Sequence, residues 1–398
     1  MGQNKQSKGR GVRTVLSVNG RLELRRIRYY TAKEGSSSPI DGLIDSMQSS
    51  VSVGVRSLCC RLGIAGRSFG RSAENLKVAG QVTISEELYR TLVESEGKAV
   101  LRASSTEQLE LDWSASGCKT QTPTGQEVSR LYVSCDGVMV PTTTEAEKKK
   151  RRATVVAKRQ KMSPDQRIKL GSLGSVKKGS DDHYKQVYVT IFYDQTQEHR
   201  LVGVTRRDHH GLGKLLRQEA ERVRLRAADE RLGLVDGAVC LRNHLDTLPL
   251  EVVLLDFFHL SEHVNDAGKN TLGEKTPAKE KWVSELLHTL KHEGYDPFFQ
   301  KLLDWRSALR GNKRKLADKL LKYVSPREEM MAYAQCQKRG WDIGTGPMES
   351  MCGVTTDRIK GRGRRWDIDN AEALMALEGL YQSRLWNRYW DKALQNRN

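Results

Sequence analysis

The run RLYVSCDGVMV at residues 130–140 decides the fold class of this chain. It is rich in apolar and β-branched residues, which predicts a strand, and it carries one acid, Asp136, near its middle. Two more runs of the same kind follow at 185–193 (KQVYVTIFY) and 200–205 (RLVGVT), separated by the polar turn DQTQ at 194–197. The region therefore begins with three sequential strands.

Helical and strand patterns alternate after these strands. Apolar residues between Leu212 and Leu232 recur at helical spacing, a short strand ends at Asp236, and 250–257 (LEVVLLDF) is largely apolar. An apolar run of this length is typical of a strand buried on both faces. Three sequential strands followed by strand–helix units predict a mixed five-stranded sheet covered by helices, an α/β fold. The segments from about 259 to 340 and from 347 to 390 look mainly helical.

The N-terminal part of the chain has a different pattern. Two β-rich runs flank Asn19-Gly20 within residues 12–30, which predicts a hairpin whose Leu22, Leu24 and Ile27 could face a core. Helical periodicity with glycine-bearing turns follows from about 42 to 102. This pattern indicates either a helix-turn-helix type of DNA-binding unit or a plain small helical bundle. The polar stretch at 114–128 reads as a linker.

Positive charge is concentrated in two segments. The 398-residue chain has 67 Lys and Arg against 49 Asp and Glu, a formal net charge of +18. Residues 1–33 contribute nine cations and one acid, and residues 146–178 contribute twelve cations and two acids, so the two segments carry +8 and +10. Clustered positive charge is typical of proteins that bind a polyanion such as nucleic acid. A solvated basic face is the alternative.

Composition excludes other classes of protein. The chain has no run of about 18 apolar residues, so no membrane-spanning helix and no membrane partner are expected. The first residues (MGQNKQSKGRG) lack the apolar core of a secretory signal, so we expect an intracellular protein. The seven cysteines are scattered without a C-x-x-C pair, which predicts reduced thiols rather than disulfides or a zinc ribbon. No zinc is expected.

Three acids are candidate ligands for divalent cations. Asp136 and Asp236 lie in or at the end of predicted buried strands, where an unpaired carboxylate would cost on the order of several kcal/mol and a metal ion is one suitable partner. Each is followed by Gly, so a turn-capping role is the alternative. Glu349 lies in GTGPMES (344–350), where Pro347 predicts the first turn of a helix. An acid that merely stabilises a helix N-terminus is the alternative there.

Two further groups could contribute to a functional site. Asp256, His259 and His263 stand at i, i+3 and i+7, on one side of a predicted helix. They could hold a metal, or Asp256 could cap the helix beside a hydrogen-bonded histidine. The run RIKGRGRRW at 358–366 combines five cations with an aromatic, which suits phosphate contacts and base stacking. A solvated helix end is the alternative reading of that run.

Taken together, these motifs resemble a known family. Bacterial insertion-sequence DDE transposases of the ISKra-type group, related to Mutator-like transposases, are similar to this chain from about residue 13 to 390. The similarity is carried by Asp136-Gly137, Asp236-Gly237-Ala238, Asp256-Phe-Phe-His259, Gly346-Pro-Met-Glu349-Ser and the arginine-rich run that ends in Trp366.

This resemblance implies an RNase H-like catalytic domain with a helical insertion domain, preceded by a small N-terminal β-hairpin plus helical DNA-binding region. It also implies that Asp136, Asp236 and Glu349 are the catalytic, metal-binding residues and that Asp256 and His259 support the active site. The expected segments are a basic hairpin region at 1–40, a helical DNA-binding region at 41–113, a linker at 114–128, a first core part at 129–268, a helical insertion at 269–340 and the last core helices at 341–398.

The activity implied is that of a transposase that binds the ends of its insertion sequence, cleaves DNA strands with Mg²⁺ (Mn²⁺ as a substitute) and joins them to target DNA. The implied partners are double-stranded DNA and further copies of the chain, in the bacterial cytoplasm at the nucleoid. A domesticated or decayed DNA-binding protein and a metal-dependent nuclease are the alternatives. DNA contacts are assigned to Lys148, Lys149, Lys150, Arg151, Arg152, Arg358, Lys360, Arg362, Arg364, Arg365 and Trp366.

Overall fold

The computed structural model describes residues 5–32, 35–38, 40–41, 50–106 and 108–395. The chain forms two compact units, each assembled from separate segments. The first unit consists of Met1–Leu109, Met139–Val187 and Val354–Asn398, and the second of Glu110–Val138 and Tyr188–Gly353. Within the described ranges, no helix is both long and apolar enough to cross a lipid bilayer.

The strands, in chain order, are β1 (Gln6–Ser17), β2 (Gly20–Thr31), β3 (Gly35–Ser37), β4 (Lys119–Gln121), β5 (Glu127–Pro141), β6 (Tyr184–Tyr193), β7 (Arg200–Thr205), β8 (Glu230–Val235) and β9 (Val252–Leu255). The helices are α1 (Val53–Ala65), α2 (Phe69–Gly80), α3 (Glu86–Ser105), α4 (Glu145–Gln160), α5 (Pro164–Leu170), α6 (His209–Arg222), α7 (Val239–Leu245), α8 (Phe257–Leu272), α9 (Pro277–His292), α10 (Tyr295–Ala308), α11 (Gly311–Val324), α12 (Tyr333–Arg339), α13 (Gly346–Asp357), α14 (Ile368–Gln382) and α15 (Trp386–Gln395). A 3₁₀ segment, Ser325–Met330, follows α11.

The first unit begins with the predicted hairpin. β1 and β2 pair antiparallel with Ser17 opposite Gly20, and the φ of 101° at Gly20 is a conformation that favours glycine. The expected inward face was wrong in part, because Leu22 and Ile27 are 47% and 46% exposed. These two side chains are an odd number of residues apart on one strand, so they lie on opposite faces and cannot share one core.

The helices of the first unit pack closely around buried polar pairs. A Cβ atom on Gly97 of α3 would collide with the backbone of Ala373 on α14, so glycine permits this close approach. Arg56 and Glu96 form a buried ion pair at 3.1 Å, and the Tyr389 hydroxyl donates to Glu96 at 3.1 Å. These contacts join α1, α3 and α15 in one core.

The second unit contains the mixed sheet expected from the sequence. Its strands lie in the order β7-β6-β5-β8-β9, and β4 pairs with β5 outside that path. β5 and β8 are parallel, β8 and β9 are parallel, and β6 and β7 are antiparallel. Leu131, Tyr132 and Val133 of β5 are fully buried. Such burial on successive residues is typical of a central strand that is covered on both faces.

A helical region separates α8 from α13, as the sequence predicts. α9, α10 and α11 follow one another, and Phe298 and Leu302 of α10 are fully buried. The rings of Trp282 and Trp305 pack at a centroid distance of 4.4 Å between α9 and α10. The second unit therefore consists of a sheet with its covering helices and a set of additional helices inserted before α13.

The segment at 114–128 is ordered rather than a plain linker. It contains β4 and the first residues of β5, and these strands pair with Lys119 opposite Ser129. Ala115 and Cys118 are 0% and 1% exposed, so the segment contributes to the core despite its polar composition.

The basic segment at 148–178 begins within a helix, α4. The Thr144 hydroxyl accepts from the backbone N–H of Glu147, and the Glu147 carboxylate accepts from the backbone N–H of Thr144. This capping box starts α4, and the Lys, Arg and Ala residues that follow are strong helix formers.

The helix predicted from Leu212 to Leu232 ends earlier, at Arg222. Arg224 adopts the left-handed conformation with φ of 53°, which stops the helix, and β8 already begins at Glu230. Val223, Leu225 and Ala228 are buried in a turn and a short 3₁₀ segment rather than in the α-helix, which is why the apolar spacing misled the prediction.

Candidate functional site

Asp136 and Asp236 lie at the same level of the sheet in the second unit. β5 and β8 pair in parallel with Ser134 opposite Leu234, and each acid comes two residues later. The Ser134 hydroxyl also donates to the Leu234 carbonyl at 2.7 Å. Since neighbouring strands lie about 4.8 Å apart, the register brings two of the predicted ligands side by side. Both side chains are half-buried.

Each of these carboxylates is oriented by a local backbone hydrogen bond. Asp136 Oδ1 accepts from the N–H of Gly137 at 2.6 Å, and Asp236 Oδ1 accepts from the N–H of Ala238 at 3.0 Å. One oxygen of each acid therefore makes the turn-capping hydrogen bond that was the alternative prediction. A carboxylate can accept at both oxygens, so this bond is compatible with a further ligand.

Glu349, the third predicted ligand, lies in the first turn of α13 and is exposed. Its N–H donates to the carbonyl of Thr345 at 3.0 Å, which places it in a regular helical turn. Cys352 follows three residues later, and its Sγ lies 3.7 Å from Asp136 Oδ2. Because residues i and i+3 are neighbours on a helix, the first turns of α13 lie beside Asp136.

The three carboxylates do not form a tight single-metal site. In the part of the chain that the structure describes, one group of three metal-ligating residue types has its ligand atoms within 4.8 Å of one another, and that group is Cys118, Asp194 and His199. In a two-metal site the ligand atoms can lie further apart than in a single-metal site. Metals about 3.5–4 Å apart, each about 2.0–2.1 Å from its oxygens, can be held by ligands that are about 8 Å apart. Acids on two neighbouring strands and an adjacent helix suit such a site.

A tyrosine and an arginine from the inserted helices pack against the turn after Asp236. Gly237 has φ of 94°, and a Cβ atom there would lie 3.0 Å from the hydroxyl oxygen of Tyr323. Arg327 Nη2 donates to the Gly237 carbonyl at 3.0 Å, and its guanidinium lies 4.2 Å from the centre of the Tyr323 ring. Burial, followed by the charges of Asp236 and Asp256, raises the pKa of Tyr323 to about 12 against the opposing effect of Arg327. The sequence carries no local signal for these contacts, because the partners are some 90 residues apart.

Asp256 lies at the same level of the sheet as Asp136 and Asp236 but has another role. β8 and β9 pair with Val235 opposite Leu255, so Asp256 lies level with Asp236. It is 1% exposed, and its Oδ1 accepts from the N–H groups of Phe258 and His259 at 2.6 and 2.9 Å. Its Oδ2 accepts from the N–H and hydroxyl of Thr345. Asp256 thus caps α8 and ties it to the residue just before α13.

His259 and His263 are half-buried on one side of α8. The His259 ring is 5.0 Å from that of His263, and its Nδ1 is 3.6 Å from the Glu262 carboxylate. Burial, together with the charge of His259, lowers the pKa of His263, whose ring lies 3.9 Å from that of Tyr323. Among the described residues, these histidines and Asp256 do not form a convergent metal-ligand group. Asp256 therefore lies level with Asp136 and Asp236, a line of acids that we call the carboxylate row, and His259 lies three residues further along the chain.

In the first unit, the start of the basic segment 146–178 and the arginine-rich run 358–366 lie together. The Trp366 N–H donates to the Pro141 carbonyl and the Thr143 N–H donates to the Trp366 carbonyl, at 3.1 and 2.8 Å. Lys148 pairs with Asp367 at 2.5 Å. The start of α4 and the segment 358–367 are thus neighbours, and we call their solvent-facing cations the basic surface: Lys149, Lys150, Arg151, Lys360 and Arg362 are all exposed.

Several predicted DNA-contacting residues of α4 and 358–366 are engaged inside the unit. Lys148 has only 10% of its side chain exposed and also donates to the carbonyls of Lys177 and Lys178. Arg152 donates to the carbonyls of Leu173 and Gly174. These two cations hold the returning chain against α4.

Arg364 and Arg365 are engaged in the same way. Arg364 donates to the Arg358 carbonyl at 2.7 Å, and Arg365 lies 2.6 Å from the Glu147 carboxylate and 2.9 Å from His183 Nδ1. Both contribute to the position of the segment 358–366.

Arg358 and Trp366 are buried, which corrects their assignment to phosphate contact and base stacking. Arg358 is 7% exposed, donates to the carbonyls of Gly63 and Arg67, and lies between the rings of Phe69 and Trp366. Burial, with the nearby charge of Arg364, lowers its pKa to about 10. Trp366 is 8% exposed, and its indole N–H donates to the Ile359 carbonyl. Both residues anchor the segment to α1 and α2.

No protein-family model matches the chain, and a search of curated proteins found no match either. The functional conclusion therefore rests on the geometry of the chain itself.

Proposed function

We propose that this chain is a DDE transposase whose second unit is an RNase H-like catalytic domain. One observation carries the proposal: Asp136 and Asp236 stand level on adjacent parallel strands, and α13, which bears Glu349, begins beside Asp136. The strand order supports the proposal. If β5 is counted as strand 1, the sheet β7-β6-β5-β8-β9 has the order 3-2-1-4-5. A mixed sheet of this order places its first and fourth strands side by side at the centre.

The proposed chemistry is metal-dependent cleavage and transfer of DNA strands. Asp136, Asp236 and Glu349 would hold two Mg²⁺ ions, which when bound activate the attacking oxygen and neutralise the leaving oxygen. The chain's own contribution is to fix the carboxylates in advance. Backbone N–H groups orient Asp136 and Asp236, and Arg327 holds the carbonyl of the turn that follows Asp236.

The proposed DNA contact is the basic surface of the first unit. Its exposed ammonium and guanidinium groups can neutralise phosphates without base specificity. Lys148, Arg152, Arg358, Arg364, Arg365 and Trp366 are left out of this proposal because they bond to groups within the unit. Two element ends must be held together for joining, so we expect oligomerisation on DNA, at the bacterial nucleoid.

The test uses a labelled duplex that carries the genomic sequence flanking the gene, mixed with a target plasmid and Mg²⁺ or Mn²⁺. Wild type is expected to nick the duplex at the element boundary and join the 3′ ends to the plasmid. Glu349→Gln should bind the duplex normally but neither nick nor join. The control is Glu285→Gln, which removes an acid that is 61% exposed on α9 and should leave both steps intact.

Two results would overturn the proposal in different ways. Nicking without any joined product would make the protein a metal-dependent nuclease. Binding without metal-dependent nicking by wild type, at every flank tested, would indicate a decayed DNA-binding protein. Nicking that survives Glu349→Gln would remove Glu349 from the ligand set.

A further inference from the structure

A second group of metal-ligating side chains lies in the second unit, between the start of β4 and the turn that joins β6 to β7. Asp194 and His199 close the turn between β6 and β7, and Cys118 directly precedes β4. One ligand atom from each of the three side chains lies within 4.8 Å of the other two. Cys118 and Asp194 are 1% and 4% exposed, so a thiol and a carboxylate face each other in a nearly closed site.

This group is distinct from the carboxylate row. The Cys118 carbonyl accepts from the N–H of Arg130 at 2.9 Å, so the group is level with the beginning of β5. Asp136 lies six residues further along that strand. At about 3.3 Å per residue, the two sites are about 20 Å apart along β5.

We propose that Cys118, Asp194 and His199 bind a zinc-type transition-metal ion. A thiolate, an imidazole and a carboxylate form a ligand set that suits Zn²⁺ and not Mg²⁺, which prefers oxygen ligands. On binding, the Cys118 thiol releases its proton to solvent and its sulfur forms a bond to the metal. The His199 side chain is 34% exposed, so a water molecule can reach the fourth position from that side.

The surrounding hydrogen bonds already orient two of the ligands. Asp194 Oδ2 lies 2.7 Å from His199 Nδ1 and accepts from the Thr196 hydroxyl, while Oδ1 accepts from the N–H of His199. The Trp113 ring packs on the His199 ring at a centroid distance of 5.4 Å. Tetrahedral ligand atoms around one zinc are about 3.3–3.8 Å apart, so small side-chain rotations from the observed positions complete the site.

Such an ion would link two distant parts of the chain. It would join the segment before β4 to the turn between β6 and β7, two parts of the chain that are 76 residues apart between Cys118 and Asp194. A link of this kind stabilises the folded state because the unfolded chain offers no preformed site. The sequence suggested no zinc because it contains no C-x-x-C pair, and spacing this long gives no local signal.

The test is zinc uptake by the full chain after chelator treatment, in excess Mg²⁺ so that oxygen-rich sites are occupied. We expect one Zn²⁺ per chain, a rise in Tm of about 5–10 °C at zinc about 100-fold above its Kd, and a thiolate-to-metal absorption band with Co²⁺. Cys118→Ser should lose all three, whereas Cys336→Ser, which removes another buried thiol of the same unit, should keep them.

His199→Gln provides a second variant, because its partly exposed ring can be replaced without opening the core. It should bind zinc at least tenfold more weakly than wild type. Absence of stoichiometric uptake by wild type, or uptake that survives both Cys118→Ser and His199→Gln, would overturn the proposal and leave Asp194 and His199 as a hydrogen-bonded pair that closes the turn. These readouts involve no DNA and are independent of the proposed transposase activity.

Discussion

Asp136, Asp236 and Asp256 stand in one row across three neighbouring parallel strands, yet their surroundings differ sharply. Asp256 is 1% exposed and its two oxygens accept four hydrogen bonds from Phe258, His259 and Thr345. Asp136 and Asp236 are half-buried, and one oxygen of each accepts from a local backbone N–H. The level of an acid in a sheet follows from strand register, whereas its role follows from the donors around it. We therefore expect Asp136 and Asp236 to bind a ligand and Asp256 to have a structural role.

The largest contrast should appear in catalysis. Asp136→Asn and Asp236→Asn keep the shape of the side chain but remove the charge that binds a metal ion. We expect strand cleavage to fall by about 1,000-fold or more, with Tm close to that of wild type. Single-turnover cleavage of the labelled duplex checks the rate. Cleavage at the wild-type rate in both variants would show that these acids are structural, like Asp256, and not metal ligands.

Asp256→Asn should act on stability instead. Its amide would present two donors toward the N–H and hydroxyl of Thr345, leaving a buried N–H without an acceptor. We expect the free energy of unfolding to fall by about 2–4 kcal/mol, measured by urea denaturation. Asp266→Asn, at an exposed position of the same helix, should change it by less than about 0.5 kcal/mol. If Asp256→Asn is stable but cannot cleave, Asp256 is a metal ligand rather than a cap.

Exposed and buried cations should also differ in their effects, the exposed ones on DNA affinity and the buried Arg358 on stability. Lys149, Lys150 and Arg151 are exposed, so replacing all three by Gln should lower DNA affinity by tens of fold and reduce the slope of log K against log salt by up to about 3. Arg358→Gln should leave that slope unchanged and lower Tm, because Arg358 bonds to the carbonyls of Gly63 and Arg67. Fluorescence anisotropy at several salt concentrations checks both. The reverse pattern would place the DNA contact at Arg358 and not at the exposed cations of α4.

Another buried acid, Glu219, differs from Asp256 in its pH dependence. Glu219 on α6 is 2% exposed and lies 3.3 Å from Arg222, while its Oε2 has no hydrogen-bond partner among the described residues. Burial, opposed in part by Arg222, raises the pKa of Glu219 to about 7. Asp256 accepts hydrogen bonds at both oxygens, whereas Glu219 accepts from Arg222 at Oε1 alone among the described residues.

Because the folded state holds this proton more tightly than the unfolded chain, Glu219 contributes stability at pH below about 4.5 that is lost as pH rises through about 7. We expect Glu219→Gln to remove this dependence, so the difference in unfolding free energy between pH 5 and 7 should shrink by on the order of 2 kcal/mol. Urea titrations at the two pH values measure it. An unchanged pH profile would mean that Glu219 is charged throughout.

The sheet could be predicted from sequence because each strand carries its own local signal. The runs at 130–140, 185–193 and 200–205 are apolar and β-branched, and Asn19-Gly20 marks the hairpin. The two catalytic candidates on the sheet were also readable, since an acid inside or just after such a run is unusual. The capping box at Thr144 and Glu147 was equally local and could have identified α4.

What the sequence could not supply depends on contacts between distant segments. Arg358 and Trp366 look like DNA-contacting residues until α1 and α2 bury them. The bond from Arg327 to the Gly237 carbonyl and the approach of Asp194 to Cys118 join segments 76 or more residues apart. Composition and spacing give information about neighbours along the chain, whereas the environment of these residues is determined by segments that are distant in sequence.

Direct measurement of metal binding tests most simply whether Asp136, Asp236 and Glu349 hold catalytic metal ions. Mn²⁺ binding to the zinc-loaded or chelator-treated full chain can be followed by the loss of the free-ion electron paramagnetic resonance signal. We predict saturable binding of about two Mn²⁺ per chain in the presence of DNA, lost in Asp136→Asn and retained in Asp266→Asn. Equal Mn²⁺ binding by wild type and Asp136→Asn would contradict the claim.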